Sequence, residues 1–121
     1  MSLEVTTGTS EKIAQYLDLA TDQIKLTAAN MANIDTPGYR AMGMDFEAEM
    51  REAMDGVDQG RAARQVRVRE VDGLIARPDG NDVSMDRESL NLAEAQLKFK
   101  VGVALLRGQN QMVMDAIHAD K

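Results

Sequence analysis

Residues 85–118 constrain the fold most. At about 100° per residue their apolar side chains fall on two opposite faces of a long helix. One face carries Leu90, Ala93, Leu97, Val101, Ala104, Leu105, Gly108 and Met112. The other carries Leu92, Ala95, Phe99, Val103, Leu106, Val113 and Ile117. Lys98, Lys100 and Arg107 stand on the flanks, and Ser84 or Asp86 suits the helix start. A helix apolar on one side needs one partner, and a helix apolar on two sides needs two.

The first partner lies in the same chain. Ile13, Leu17, Ala20, Ile24, Thr27, Met31 and Ile34 are spaced alternately by four and three residues. This is the heptad seam of a helix packed lengthwise on another. With Ser10 as N-cap, the spacing predicts a helix from about Ser10 to Asn33, about 36 Å long. Leu19 and Leu26 add a small second stripe. Asp35-Thr36-Pro37-Gly38 ends the helix, because Pro37 breaks the hydrogen-bond ladder and restricts Thr36. Pro-Gly at the two central positions suits a type II turn, in which glycine accepts a positive φ.

Between the helices lies an irregular stretch. Phe46 to Met54 suits a short acidic helix, and residues 55–60 read as a loop. Residues 65–71 alternate apolar and charged side chains like a half-exposed strand, with Leu74-Ile75-Ala76 as a hairpin partner. Asp72-Gly73 and Pro78-Asp79-Gly80-Asn81 are turn signals. The expected fold is mainly α: long N- and C-terminal helices pairing as a coiled coil, with a small irregular or β-hairpin middle. The divisions are 1–40, 41–82 and 83–121, within one structural domain.

The second apolar face needs a cover, and the middle stretch is too small to provide all of it. Left bare, it is a large exposed patch that favours association. The pattern therefore predicts a chain completed by other chains. The competing arrangement is an internal hairpin whose middle wraps the second face. Periodicity does not say which of two sets meets neighbours: Phe99, Val103 and Leu106, or Leu97, Val101 and Leu105. Ile13, Leu17, Ile24 and Met31 are the expected intramolecular or axial seam.

Composition narrows the function. Aromatic residues make up 3% of the chain, with no tryptophan, which argues against a deep small-molecule pocket. The net charge of −6 opposes nucleic acid or anionic lipid as a main partner. There is no cysteine, hence no disulfide or thiol chemistry. No apolar run approaches the length of a membrane span, and the first residues lack the pattern of a cleaved secretory signal.

No motif carries catalysis or a cofactor. His118 is the single histidine and suits the negative end of a helix. Asp79, Asn81, Asp82, Asp86 and Glu88 suggest calcium, but Val83 occupies a would-be ligand position and Gly80 is misplaced for the turn. Asp45, Glu47, Glu49, Glu52, Asp55 and Asp58 read as a solvated face rather than as paired catalytic acids. The methionines read as adaptable packing residues. Asn30 and Asn33 are either helix-end caps or inter-subunit hydrogen-bonding groups, and Tyr39 reads as a ring that locks the turn.

Residues 29–40, Ala-Asn-Met-Ala-Asn-Ile-Asp-Thr-Pro-Gly-Tyr-Arg, resemble the N-terminal signature of the flagellar rod, hook and hook-associated proteins: a helix ending in Asn-x-x-Asn-x-x-Thr-x-Gly-Tyr. Asn30, Asn33, Thr36, Pro37, Gly38 and Tyr39 carry it. With Asp45-Phe46 and the short length, the match is nearest the proximal-rod branch. Residues 80–88 resemble the family's entry into its C-terminal helix, and residues 93–99 that helix's first turns. The resemblance implies a structural subunit of the basal-body rod in the periplasm, exported by the flagellar apparatus without a cleaved signal. It implies terminal helices that pair as a coiled coil and pack into a tube. The partners it implies are further copies of the chain, other rod subunits, the FliE adaptor, and components of the ring and export gate. An adaptor joining rod to ring or export gate is the second reading, which a 1:1 heterocomplex that does not polymerise would favour. A small enzyme built on the acidic middle is the third, and needs a pocket with convergent carboxylates.

Overall fold

The computed structural model describes residues 3–119. In chain order its elements are α1 (Leu3–Ala32), β1 (Met42–Gly43), α2 (Phe46–Asp58), β2 (Arg69–Glu70) and α3 (Met85–His118). The fold is mainly helical, with long N- and C-terminal helices and a small two-stranded ribbon between them. α1 and α3 lie antiparallel along each other: Gly102 meets Tyr16 and Leu17, and Lys98 Nζ donates to Gln23 Oε1 at 3.3 Å. α2 and β1 pack on α1. Among the described residues, no element of the middle region lies along α3.

The buried positions of α3 are Glu88, Ala95, Gly102 and Gln109, a strict seven-residue repeat. On α1 they include Ile13, Ala20 and Thr27, again seven apart. Seven residues are close to two helical turns, so each set forms one straight seam. Leu17, Ile24, Met31 and Ile34 are half-buried along the same side. Leu19, from the predicted second stripe, is buried as well.

Several boundaries differ from expectation. α1 begins at Leu3, so Ser10 is a helix-interior residue and not the N-cap. Weak helix formers such as Thr7, Gly8 and Thr9 cost about 1 kcal/mol or less each, which tertiary packing overrides when no proline intervenes. α2 continues to Asp58 rather than stopping near Met54. Its end is a Schellman motif: Gly60 N donates to Val57 O at 3.2 Å, and Arg61 N to Gly56 O at 2.8 Å. Gly60 supplies the required positive φ of 67°. The loop therefore starts at Gln59.

The strand pairing is also different. β2 covers only Arg69–Glu70, and its antiparallel partner is β1, with Met42 opposite Glu70 and Gly43 opposite Arg69. Leu74-Ile75-Ala76 pairs with no strand, and Ile75 is almost fully exposed. A Cβ on Gly43 would stand 2.9 Å from Val71 Cγ2, so glycine lets the ribbon close. Upstream, Arg67 is held to α2 instead: its Nε donates to Glu49 Oε1 at 2.9 Å.

Capping accounts for the remaining element starts. Asp45 Oδ1 accepts from Ala48 N at 3.1 Å to begin α2, with Glu47 and Glu49 in its first turn. Ser84 Oγ accepts from Arg87 N at 3.3 Å to begin α3. Of the two candidates, Ser84 is thus the cap.

Candidate functional site

The outer side of α3 carries a row of exposed apolar side chains. Leu90, Leu97, Val101, Leu105 and Met112 are between 45% and 63% exposed. Their spacing places them in one stripe. The opposite set faces α1: Ala95 is fully buried, and Leu92, Val103, Leu106 and Val113 are half-buried. Phe99 lies at the edge of that seam and Ile117 near the helix end, at 38% and 54% exposed. The two sets that periodicity left equivalent are therefore not equivalent. The molecule's accessible surface is 8062 Å². A compact monomer of 13.3 kDa would expose roughly 6,500 Å². The excess matches an extended hairpin with one bare side.

At one end of the hairpin a polar clasp fixes the geometry. Asn81, fully buried, donates through Nδ2 to the carbonyls of Asn33 and Thr36, each at 2.8 Å. Its Oδ1 accepts from Val83 N at 2.8 Å. One side chain thus satisfies carbonyls at the end of α1 while ordering the entry to α3. Asp82 Oδ1 accepts from Ala41 N at 2.6 Å, and its Oδ2 pairs with Arg40 Nε at 3.3 Å. Arg77 donates to Val83 O at 2.8 Å and also to Ile34 O.

The asparagines of the N-terminal signature belong to this clasp. Asn30 acts as a strand edge toward β1: Nδ2 donates to Met42 O at 2.8 Å, and Oδ1 accepts from Met42 N at 3.0 Å. Tyr39 Oη donates to the same Oδ1 at 3.3 Å. Asn33 donates to Ala29 O at 2.8 Å and accepts from Thr36 Oγ1 at 3.0 Å. Between Thr36 and Tyr39 the chain makes the expected turn. Tyr39 N donates to Thr36 O at 3.2 Å across Pro37-Gly38, and Gly38 has φ 75°. Gly38 also meets Gly80, whose Cβ, if present, would stand 3.3 Å from Gly38 Cα. Asp79 and Asn81 are thereby occupied in turns rather than converging on a cation.

Phe46 of α2 touches both long helices. Its ring meets Tyr16 edge-on at 5.8 Å, and Lys98 Nζ lies 3.9 Å from its centroid. Burial raises the Tyr16 phenol above its ordinary range. Of the acids of the middle region, Asp45, Glu47, Asp55 and Asp58 are exposed as expected, and Glu49 is the exception. Glu49 is 6% exposed and tied to Arg67, Glu52 pairs with Arg64 and Arg67, and Asp58 pairs with Lys12 at 2.7 Å. The hydrogen bond and charge of Glu49 raise the Arg67 guanidinium further.

Sequence reasoning missed the roles of Gly102, Asn81, Asp82 and Glu49. Gly102 had a signal, an isolated glycine inside a helical pattern. Asn81 and Asp82 were visible only as part of a turn. Among the described residues, no helix is long and apolar enough to cross a membrane.

No family model matches the chain. Individual relatives do, along most of both lengths. A flagellar basal body rod protein FlgB of Salmonella typhimurium is 34% identical over 121 residues, covering 85% of this chain and 88% of the relative. The Yersinia ruckeri protein of the same description is 30% identical, with the same coverage. That of Escherichia coli is 29% identical over 87% of this chain and 89% of its own. Identity at this level, across nearly the full length, sits on a helical hairpin closed by the Asn-x-x-Asn-x-x-Thr-Pro-Gly-Tyr clasp, and the chain belongs to the family of flagellar basal body rod proteins FlgB.

Proposed function

We propose that this chain is a structural subunit of the proximal rod of the bacterial flagellar basal body and has no catalytic role. The observation that carries the reading is the bare stripe of α3, on a chain whose relatives are rod proteins along most of their length. Burying one leucine side chain contributes about 1.5–3 kcal/mol. A few such residues shared with neighbours offset the cost of ordering long helices on assembly. On this reading Leu97, Val101 and Leu105 meet other subunits. Ile13, Leu17, Ile24 and Met31, with Phe99, Val103 and Leu106, hold the hairpin that presents them. Asn30, Asn33, Thr36, Pro37, Gly38 and Tyr39 act indirectly, by fixing the angle at which the helices leave the clasp.

The partners on this reading are further copies, other rod subunits, the FliE adaptor at the base, and the ring and export gate. The chain reaches the periplasm by the flagellar export route, without a cleaved signal. An in-frame deletion in the parent bacterium tests the assignment. Loss of swimming with rings present but no rod or hook, restored by the intact gene, is the expected result. Complete hook–basal bodies in the deletion strain would reject it.

A further inference from the structure

The bare stripe of α3 is symmetric about its own middle. Leu97 and Leu105 stand four residues to either side of Val101, and Leu90 and Met112 eleven. At about 100° per residue all four lie within about 40° of the Val101 direction, so the symmetry holds around the helix as well as along it. The other positions of the same face follow suit. Glu94 and Gly108 stand seven residues to either side, and Arg87 and Asp115 fourteen. Gly108 has no packing reason within the chain. A Cβ there would meet nothing within 4 Å, whereas the place of a Cβ on Gly102 is taken by Leu17. A glycine inside a helix is destabilising relative to alanine, so an unoccupied one on a bare apolar face marks room for something outside the chain.

We propose that in the free chain this face is covered by the same face of a second copy, packed antiparallel across a two-fold axis at Val101. A two-fold contact needs a patch that complements itself, with residue i meeting residue j and j meeting i. The stripe does so at every level. Val101 meets its own copy, Leu97 meets Leu105, and Leu90 meets Met112. Glu94 is set against Gly108 of the second copy, where the missing side chain leaves room for its stem. Arg87 meets Asp115, which places one ion pair at each end. Arg87 lies 3.7 Å from Glu88 Oε1 without a hydrogen bond to it. Asp115 is exposed, with Oδ1 accepting from Gln111 at 2.8 Å. Charge also selects the direction: a parallel pair in register would set Arg87 against Arg87, Glu94 against Glu94 and Asp115 against Asp115. From Arg87 to Asp115 the stripe is about 42 Å long and about 10 Å wide. Each copy thus covers about 400 Å², half of what a standard stable complex uses, so the dimer is weak and reversible. It closes on itself and covers the side chains that the rod-subunit reading gives to neighbouring subunits. That the pair must part before assembly rests on that reading; the dimer rests on the stripe alone.

The purified full chain tests this, and the absence of cysteine makes cross-linking specific. Under mild oxidation Val101→Cys alone is expected to give a linked dimer. Leu90→Cys and Met112→Cys should each stay unlinked alone, because two copies of either lie about 33 Å apart, and should link when mixed. In sedimentation the parent chain should pass from monomer to dimer between about 1 μM and about 1 mM. Arg87→Asp near the start of α3 and Asp115→Arg near its end both suit the helix dipole and keep the fold. Either alone should weaken the dimer by about tenfold, and the two together should restore it. Self-linking of Leu90→Cys, no link in the mixture, or a parent chain still monomeric at about 1 mM would overturn the dimer and leave the rod-subunit reading standing. Complete hook–basal bodies in the deletion strain, beside a dimer in solution, would remove the rod-subunit reading and leave the dimer.

Discussion

Gly102 of α3 lies against Leu17 of α1 so closely that a Cβ on the glycine would stand 2.5 Å from Leu17 Cδ2 and 3.0 Å from its Cγ. Tyr16 Cδ1 would also be 3.0 Å away. The two long helices thus approach closely near their middle, where one of them has no side chain. Gly102→Ala gains helix propensity, but overpacking at such a contact costs about 1–3 kcal/mol and outweighs it. We expect the variant to be less stable in urea denaturation. Adding Leu17→Ala should recover part of the loss, because the smaller side chain makes room. A Gly102→Ala variant as stable as the parent would mean that the helices separate there at no cost.

Asn81 is the keystone of the clasp. Asn81→Ala removes two donated bonds and one accepted bond and leaves the carbonyls of Asn33 and Thr36 with only their turn bonds, at about 2–4 kcal/mol. Asn81→Asp keeps the shape but turns the donor into an oxygen facing the carbonyls of Asn33 and Thr36. It should be the more damaging of the two. Thermal melts of both variants, compared with the parent, check the order.

Gly38 and Gly80 both adopt positive φ where their turns meet. Gly80→Ala adds backbone strain and a close contact, for about 1–2 kcal/mol. Gly38→Ala faces open space and should lose only the strain component, about 1 kcal/mol. Denaturation midpoints of the two variants should rank in that order.

Burial raises the Tyr16 phenol in the folded chain. The folded state therefore holds this proton after the unfolded state has released it. Stability from this source is complete below the unfolded value near 10 and is lost as pH rises through the higher folded value. Tyr16→Phe removes the titrating group and keeps the ring contact with Phe46. Its stability should fall less steeply than the parent's above pH of about 10, measured by urea denaturation across the alkaline range.

Much of this architecture is legible in residue spacing. α3 follows its predicted bounds because a capping serine precedes it and its pattern runs unbroken to His118. The turn at Thr36-Pro37-Gly38-Tyr39 is legible because proline and glycine leave the backbone few choices there. The start of α1 is not, because Ser10 looks like a cap and only packing reveals that the helix runs past it. The ribbon is less legible still. Alternation over 65–71 marks an extended segment, but its partner, Met42–Gly43, lies more than twenty residues upstream and has no alternation of its own. The side of α3 that stays bare is the one α1 does not cover, and a 3.6-residue period does not say which of two apolar faces α1 takes. The clasp depends on hydrogen bonds between residues more than forty positions apart, so Asn81 and Asp82 look like ordinary turn residues until Asn33, Thr36 and Ala41 are beside them.

The claim that the bare side of α3 builds the rod is tested most directly by two adjacent leucines. Leu105 belongs to the exposed stripe and Leu106 to the face toward α1. Each is replaced by aspartate, and the purified chains are melted while basal bodies from the parent bacterium are imaged. Leu105→Asp should leave monomer stability within about 0.5 kcal/mol of the parent and produce basal bodies without rods. Leu106→Asp should itself destabilise the monomer by about 2–3 kcal/mol. A normal rod built from Leu105→Asp subunits would contradict the account.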